Sequence, residues 1–184
     1  MRIITGKAKG LKLFTPKDDR VRPTADRVKE SIFNIIGTKI HQAVVLDLFG
    51  GTGNLGLEAW SRGAEQVVFI DENKNSLALI KKNIAKVGAE KNTKTIKGDA
   101  LSVLKEFRKK GEKFDFIFAD PPYDKGLVKL VIEKIVIEES LEVGGYLVLE
   151  HSMHEILPLE LSVELVVIRQ EKYGESIVTF LRWR

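Results

Sequence analysis

From residue 44 onward the chain alternates short unbroken apolar runs with segments in which apolar residues recur every three or four positions. The first kind, at 44–49 (interrupted by Asp47), 66–70, 114–119 and 146–150, predicts strands buried on both faces, and the more polar 93–97 reads as a further short strand. The second predicts amphipathic helices over 55–62, along Leu77, Ile80, Ile84 and Val87 up to Gly88, over 101–109, and over 127–137. Strands and helices in strict alternation form a parallel sheet covered on both sides, so the expected fold class is α/β. The rhythm breaks at the end. Residues 161–170 and 176–183 read as two strands joined by the polar link 171–175, which contains Gly174, so the seven-stranded sheet should finish with a hairpin and an antiparallel last strand.

The first forty residues follow a different pattern. Residues 2–5 and 11–14 read as short strands separated by glycine-containing turns. Pro23-Thr24 opens a helix whose Val28, Ile32, Ile35 and Ile36 share one face until Gly37 stops it. Residues 1–40 are therefore expected to be a small extension packed on a main domain of residues 41–184.

Charge sharpens this division. Residues 1–23 hold seven basic side chains (Arg2, Lys7, Lys9, Lys12, Lys17, Arg20 and Arg22) against Asp18 and Asp19, while the whole chain carries a formal charge of only +4. A basic arm on a near-neutral body suits a polyanionic partner. Cysteine is absent, which excludes disulfides and thiolate zinc sites, and no metal site is expected. His151 and His154 read as a solvated pair near a strand end. No apolar stretch reaches membrane-spanning length and the N-terminus lacks a secretory core, so a cytoplasmic location with no membrane partner is expected.

Two strand ends carry the chemistry. Asp47-Leu48-Phe49-Gly50-Gly51-Thr52-Gly53-Asn54 joins the first strand to its helix, where glycines admit a ligand close to the backbone and the helix N-terminus favours an anionic group. Gly51, Gly53 and Gly56 satisfy G-x-G-x-x-G, which also fits a nicotinamide-dinucleotide enzyme. Asp71 ends the second strand, where a carboxylate can accept from ribose hydroxyls. Asp99, followed by Ala100, ends the third and could accept from an adenine amino group. Asp47 would repel a pyrophosphate but suit a cationic ligand. Three carboxylates at successive strand ends thus fit S-adenosylmethionine, which combines an ammonium, a ribose and an adenine without phosphate. Asp120-Pro121-Pro122-Tyr123 closes the fourth strand. Its acid can accept from an amino group, its prolines fix the backbone, and its ring offers a face on which a base can stack.

On these motifs the chain resembles the RsmD-type methyltransferases, which modify the exocyclic N2 of a guanine in bacterial 16S ribosomal RNA. The resemblance runs through Arg2-Ile3-Ile4, Gly6, Lys9-Gly10, the Arg22–30 segment entering the first helix, residues 47–58, Asp120–123 and Tyr173-Gly174. It implies a class I methyltransferase fold with a reversed last strand. It also implies S-adenosylmethionine held by Asp47, Phe49, Gly50, Gly51, Gly53, Asn54, Asp71, Asp99, Ala100 and Asp120, with Asp120, Pro121, Pro122 and Tyr123 at the reacting base. The basic side chains of Lys7, Lys9, Lys12, Arg20, Arg22, Arg27 and Lys29 would hold the backbone of 16S RNA, free or in an assembling small subunit, and a monomer is favoured. Two other enzyme classes stay open on the residues alone, a DNA adenine-N6 methyltransferase and a nicotinamide oxidoreductase. So does a non-catalytic RNA-binding module.

Overall fold

The computed structural model describes residues 1–16, 24–123, 125–157 and 163–184. Seven strands form one sheet: β1 (Val44–Asp47), β2 (Gln66–Asp71), β3 (Thr93–Lys97), β4 (Phe114–Ala119), β5 (Leu141–Ser152), β6 (Leu165–Tyr173) and β7 (Ser176–Trp183). Their spatial order is β3-β2-β1-β4-β5-β7-β6. The first five run parallel, and β7 lies antiparallel between β5 and β6. Among the described residues five α-helices accompany them: α1 (Thr24–Ile36), α2 (Asn54–Ser61), α3 (Lys74–Val87), α4 (Ala100–Lys109) and α5 (Leu127–Ile137).

Alternate residues along the central strands enter opposite cores. Val45, Phe69, Phe116, Phe118, Val148 and Phe180 pack with Ile32, Phe33, Leu57 and Ile80 from α1, α2 and α3. Leu46, Val68, Ile117, Leu149 and Leu181 pack with Leu104, Phe107, Val131 and Ile135 from α4 and α5. A sheet clad in this way must be apolar on both sides, hence the unbroken runs in the sequence. Among the described residues, no helix is long and apolar enough to cross a membrane.

Several boundaries differ from the sequence expectation. The two N-terminal strands reduce to one antiparallel bridge between Arg2 and Lys12. Their amides are spent elsewhere: Ile4 N and Thr5 N donate to the Glu58 carboxylate at 2.8 and 3.0 Å, and Phe14 N donates to Asn83 Oδ1 at 2.7 Å. Strand five begins at Leu141 rather than 146 and absorbs Gly144-Gly145 in a bulge, with Phe114 opposite Leu141 but Phe116 opposite Tyr146. A Cβ at Gly145 would lie 2.8–3.1 Å from three backbone oxygens, so the bulge needs glycine there. Strand six runs on to Tyr173, and the hairpin turn shortens to Gly174-Glu175, with Gly174 at φ 64°. Thr24, expected to cap the first helix, stands as the first residue of α1, while Pro23 and the strand start at 161–162 fall outside the described residues. His151 is buried, not solvated: Nε2 meets Thr179 Oγ1 and Nδ1 meets Ser152 O, both at 2.9 Å.

Candidate active site

Strand order reverses between β1 and β4, the point at which an open parallel sheet leaves a crevice beyond its carboxyl ends. A cavity of about 770 Å³ occupies it. One side is formed by Asp47, Phe49, Gly50, Gly51, Thr52 and Asn54, the other by Asp120, Tyr123 and Glu150. The β6–β7 turn (Tyr173, Gly174, Glu175, Ser176) borders it, and Met1, Pro16, Val28, Lys29 and Ile32 complete the lining. The two strand tips singled out by sequence therefore open into the same space. A slightly larger recess of about 830 Å³, near Phe33, His41 and Arg62, has no carboxylate among its described lining residues and lies apart from the strand ends.

The glycine loop is held from both directions. Gly53 N donates to Gly50 O at 2.6 Å, Gly50 N to Ile70 O at 2.9 Å, and Asn83 Nδ2 to Thr52 O at 2.9 Å. Asp71 accepts from Gly51 N at 2.9 Å through one oxygen and from Asn73 N at 2.8 Å through the other. Gly56 lets α2 lie directly on β2, since a Cβ there would sit 2.3 Å from Phe69 Cε1. Asp47 accepts from Gly56 N at 3.0 Å and is buried. Burial pushes its carboxyl up to about 7; the Gly56 bond opposes this and the nearby Asp71 charge adds to it.

At the second tip, Asp120 is exposed, Pro121 buried and Pro122 exposed. The Tyr123 hydroxyl donates to Glu150 Oε1 at 2.8 Å and shares a second bond with Ser176 Oγ at 2.8 Å. These bonds tie the corner after β4 to the end of β5 and the start of β7. The phenol is pushed well above its ordinary range, chiefly by burial, with the charges of Glu150 and Asp120 adding and the Ser176 bond opposing.

Not every expected residue reaches the cavity. Gly53, Asp71, Asp99, Ala100, Pro121 and Pro122 lie outside its lining. Asp99 is exposed and caps α4, with Oδ1 accepting from Ser102 N at 2.9 Å and Ser102 Oγ at 2.7 Å. Lys7, Lys9, Lys12 and Arg27 are exposed, with Lys7 Nζ 3.9 Å from the Trp60 ring centroid. Arg20 and Arg22 fall outside the described residues. Lys29 corrects the expectation of an exposed phosphate-binding lysine. It is 1% exposed, and its ammonium donates to Arg2 O at 2.5 Å and Asn54 Oδ1 at 2.6 Å, with Glu58 Oε2 at 3.4 Å. It sits one position after Val28 on the helix face turned toward the sheet, so its charge serves the protein's own arm. Burial lowers its pKa from the ordinary lysine value, against the pull of Glu58 and Asp26.

Sequence reasoning missed Glu150 and Glu58. Glu150 closes the apolar run 146–150, the same signal that marked Asp71 and Asp120. Glu58 lies within a short helix and has no local mark; only the packed arm gives it partners.

Residues 1–182 match the family model described as "Conserved hypothetical protein 95". The chain belongs to this family. A relative in Bacillus subtilis named "Putative rRNA methyltransferase YlbH" is 38% identical over 184 residues, covering all of both chains. "Ribosomal RNA small subunit methyltransferase D" of Haemophilus influenzae is 38% identical over 133 residues, 72% of this chain and 68% of its own. The solved structure titled "Putative methyltransferase yhhF from Escherichia coli" superposes with a TM-score of 0.86 at 30% identity, over 100% of this chain and 98% of that one. The family resemblance read from the motifs thus holds over nearly the whole length, and the fold is the α/β methyltransferase fold with its reversed last strand.

Proposed function

We propose that the protein is an S-adenosylmethionine-dependent methyltransferase acting on the exocyclic N2 amine of a guanine in small-subunit ribosomal RNA. The observation that carries this is the one cavity lined both by the glycine loop after β1 and by Asp120 and Tyr123 after β4. The names of the full-length and partial relatives supply the RNA class.

The residues present fit the cofactor. A buried carboxyl that ionises near neutrality, Asp47, suits a ligand with cationic groups, and the cavity volume suits a nucleoside-sized molecule. Asp47, Phe49, Gly50, Gly51 and Asn54 would hold it, with Asp71 supporting the loop from behind through Gly51 N and offering remaining lone pairs to ribose hydroxyls. S-adenosylmethionine supplies a methyl group made electrophilic by its sulfonium.

The chain's own groups orient the acceptor. The amine lone pair of guanine is delocalised into the ring. Hydrogen bonds from the amine to the Asp120 carboxylate and the Pro121 carbonyl favour a pyramidal nitrogen with its lone pair free. Attack would form the N–C bond as the methyl–sulfur bond breaks, leaving a neutral thioether and a cationic nitrogen that still bears both its protons, one of which Asp120 or water accepts. Tyr123, its hydroxyl fixed by Glu150 and Ser176, presents a ring on which the unstacked base gains about 1–3 kcal/mol, offsetting part of the few kcal/mol that unstacking costs. The exposed Lys7, Lys9, Lys12 and Arg27 would bind phosphates, which makes RNA affinity fall steeply with salt.

The test is methyl transfer from labelled S-adenosylmethionine to small-subunit RNA, with the product nucleoside identified by mass. N2-methylguanosine is expected. Asp120→Ala should lower turnover by about 100-fold or more while cofactor affinity stays near that of the wild type. Near-normal turnover in that variant would refute the assignment.

A further inference from the structure

We infer that Glu150 selects the acceptor base, its second carboxylate oxygen accepting from the N1–H of guanine while Asp120 accepts from the N2 amine. The inference rests on the guanine reading proposed above and names the residue that enforces it. In the β4–β5 register Ala119, the last residue of β4, stands opposite Leu149, so Asp120 follows directly where β4 ends and Glu150 is the next position on β5, two residues before that strand ends at Ser152. Register partners share a face, and this face is that of Phe118 and Val148, on which α1 packs. Both acids line the cavity, and Glu150 holds the Tyr123 hydroxyl.

Glu150 Oε1 is already committed to that hydroxyl at 2.8 Å, which fixes the carboxylate plane. No hydrogen bond from a described residue reaches Oε2. A purely structural acid holding Tyr123 has no need to line the cavity; a base-reading acid does. The Watson–Crick edge of guanine places two donors side by side, N1–H and the N2 amine. Two carboxylates, one just past β4 and one on the neighbouring β5, present the matching acceptors. Adenine offers a lone pair at N1 and no amine at C2, so the same pair would face it with repulsion. Aromatic stacking on Tyr123 accepts any base, so discrimination must come from the polar edge.

The experiment uses RNA carrying either guanosine or 2,6-diaminopurine ribonucleoside at the methylated position. Both have the C2 amine, but only guanosine has the N1 donor. The wild-type enzyme should prefer guanosine by about tenfold or more in kcat/KM, in line with one lost base-edge contact. Glu150→Gln, whose amide can donate to the N1 lone pair, should collapse that ratio by about tenfold. Tyr123→Phe removes the hydroxyl alone and should slow both substrates equally, leaving the ratio intact. Parity of the two substrates with the wild-type enzyme, a result that needs no variant to fold, overturns the inference. So does a Glu150→Gln variant that slows both substrates by the factor seen in Tyr123→Phe, because Glu150 would then only hold the ring. Methylation at an atom other than guanine N2 in the wild type would instead overturn the acceptor reading itself.

Discussion

Glu58 offers the sharpest test of how the arm is joined to the domain. Its side chain is wholly buried, accepts from Ile4 N, Thr5 N and Arg62 Nε at 2.8, 3.0 and 2.8 Å, and faces the equally buried Lys29 at 3.4 Å. Glu58→Gln keeps the volume but removes the charge. It leaves the Lys29 ammonium without its counter-ion and turns an acceptor into a donor opposite an amide. Breaking a buried pair from one side costs about 3–5 kcal/mol, a large share of a total stability of about 5–15 kcal/mol. For a domain of this size about 2–4 °C is lost per kcal/mol, so Tm should fall by roughly 6–20 °C. Urea unfolding gives the free energy, and amide exchange at Ile4 and Thr5 should quicken beyond that at β1. Lys29→Met combined with Glu58→Gln should be less destabilised than the sum of the single variants, with a coupling of about 0.5–3 kcal/mol. A loss under about 1 kcal/mol in Glu58→Gln, or strict additivity, would refute the reasoning.

The other predictions concern the cofactor side. The Asp47 carboxyl ionises at about 7 when folded against 3.8 ordinarily, so the folded chain retains a proton there that the unfolded chain has lost. Its contribution to stability is therefore greatest at low pH and fades as pH rises from about 4 through 7. Asp47→Asn should raise the Tm of the ligand-free protein at pH 8, converge with the wild type near pH 4, and weaken S-adenosylmethionine binding; thermal melts and calorimetry measure both, and an unchanged pH profile contradicts the claim. Gly56→Ala puts a methyl group 2.3 Å from Phe69 Cε1 and 2.9 Å from Val67 Cγ1, so it should cost about 1–3 kcal/mol in urea unfolding; a neutral result would mean that α2 can lift from β2. Asp71→Ala deprives Gly51 N and Asn73 N of their acceptor and should weaken cofactor binding by about tenfold, one lost charge-assisted bond. Unchanged affinity in calorimetry removes Asp71 from the site.

How much was legible depends on the range of the interaction involved. Asp47, Asp71, Asp120 and Glu150 each end an apolar run in the sequence, so a linear pattern marks them, although β5 itself continues past Glu150 to Ser152. Asp99 illustrates the limit of that signal. A carboxylate opening a helix caps it wherever the strand beside it lies, and the cap is what Asp99 forms.

The alternation of buried strands and one-sided helices dictated the α/β sheet, because a strand covered on both faces must be apolar at every position and a helix only on one stripe. The same linear information marked the glycine loop and the acid–proline–aromatic corner, whose properties reside in adjacent residues. Tertiary structure alone decided that these lie across one crevice, since strand order is not written in strand sequence. It also turned Lys29 inward onto Glu58 and set Glu150 beside Tyr123. Those are pairings between charges or hydroxyls far apart along the chain, and their energies exist only once packing has excluded water around them.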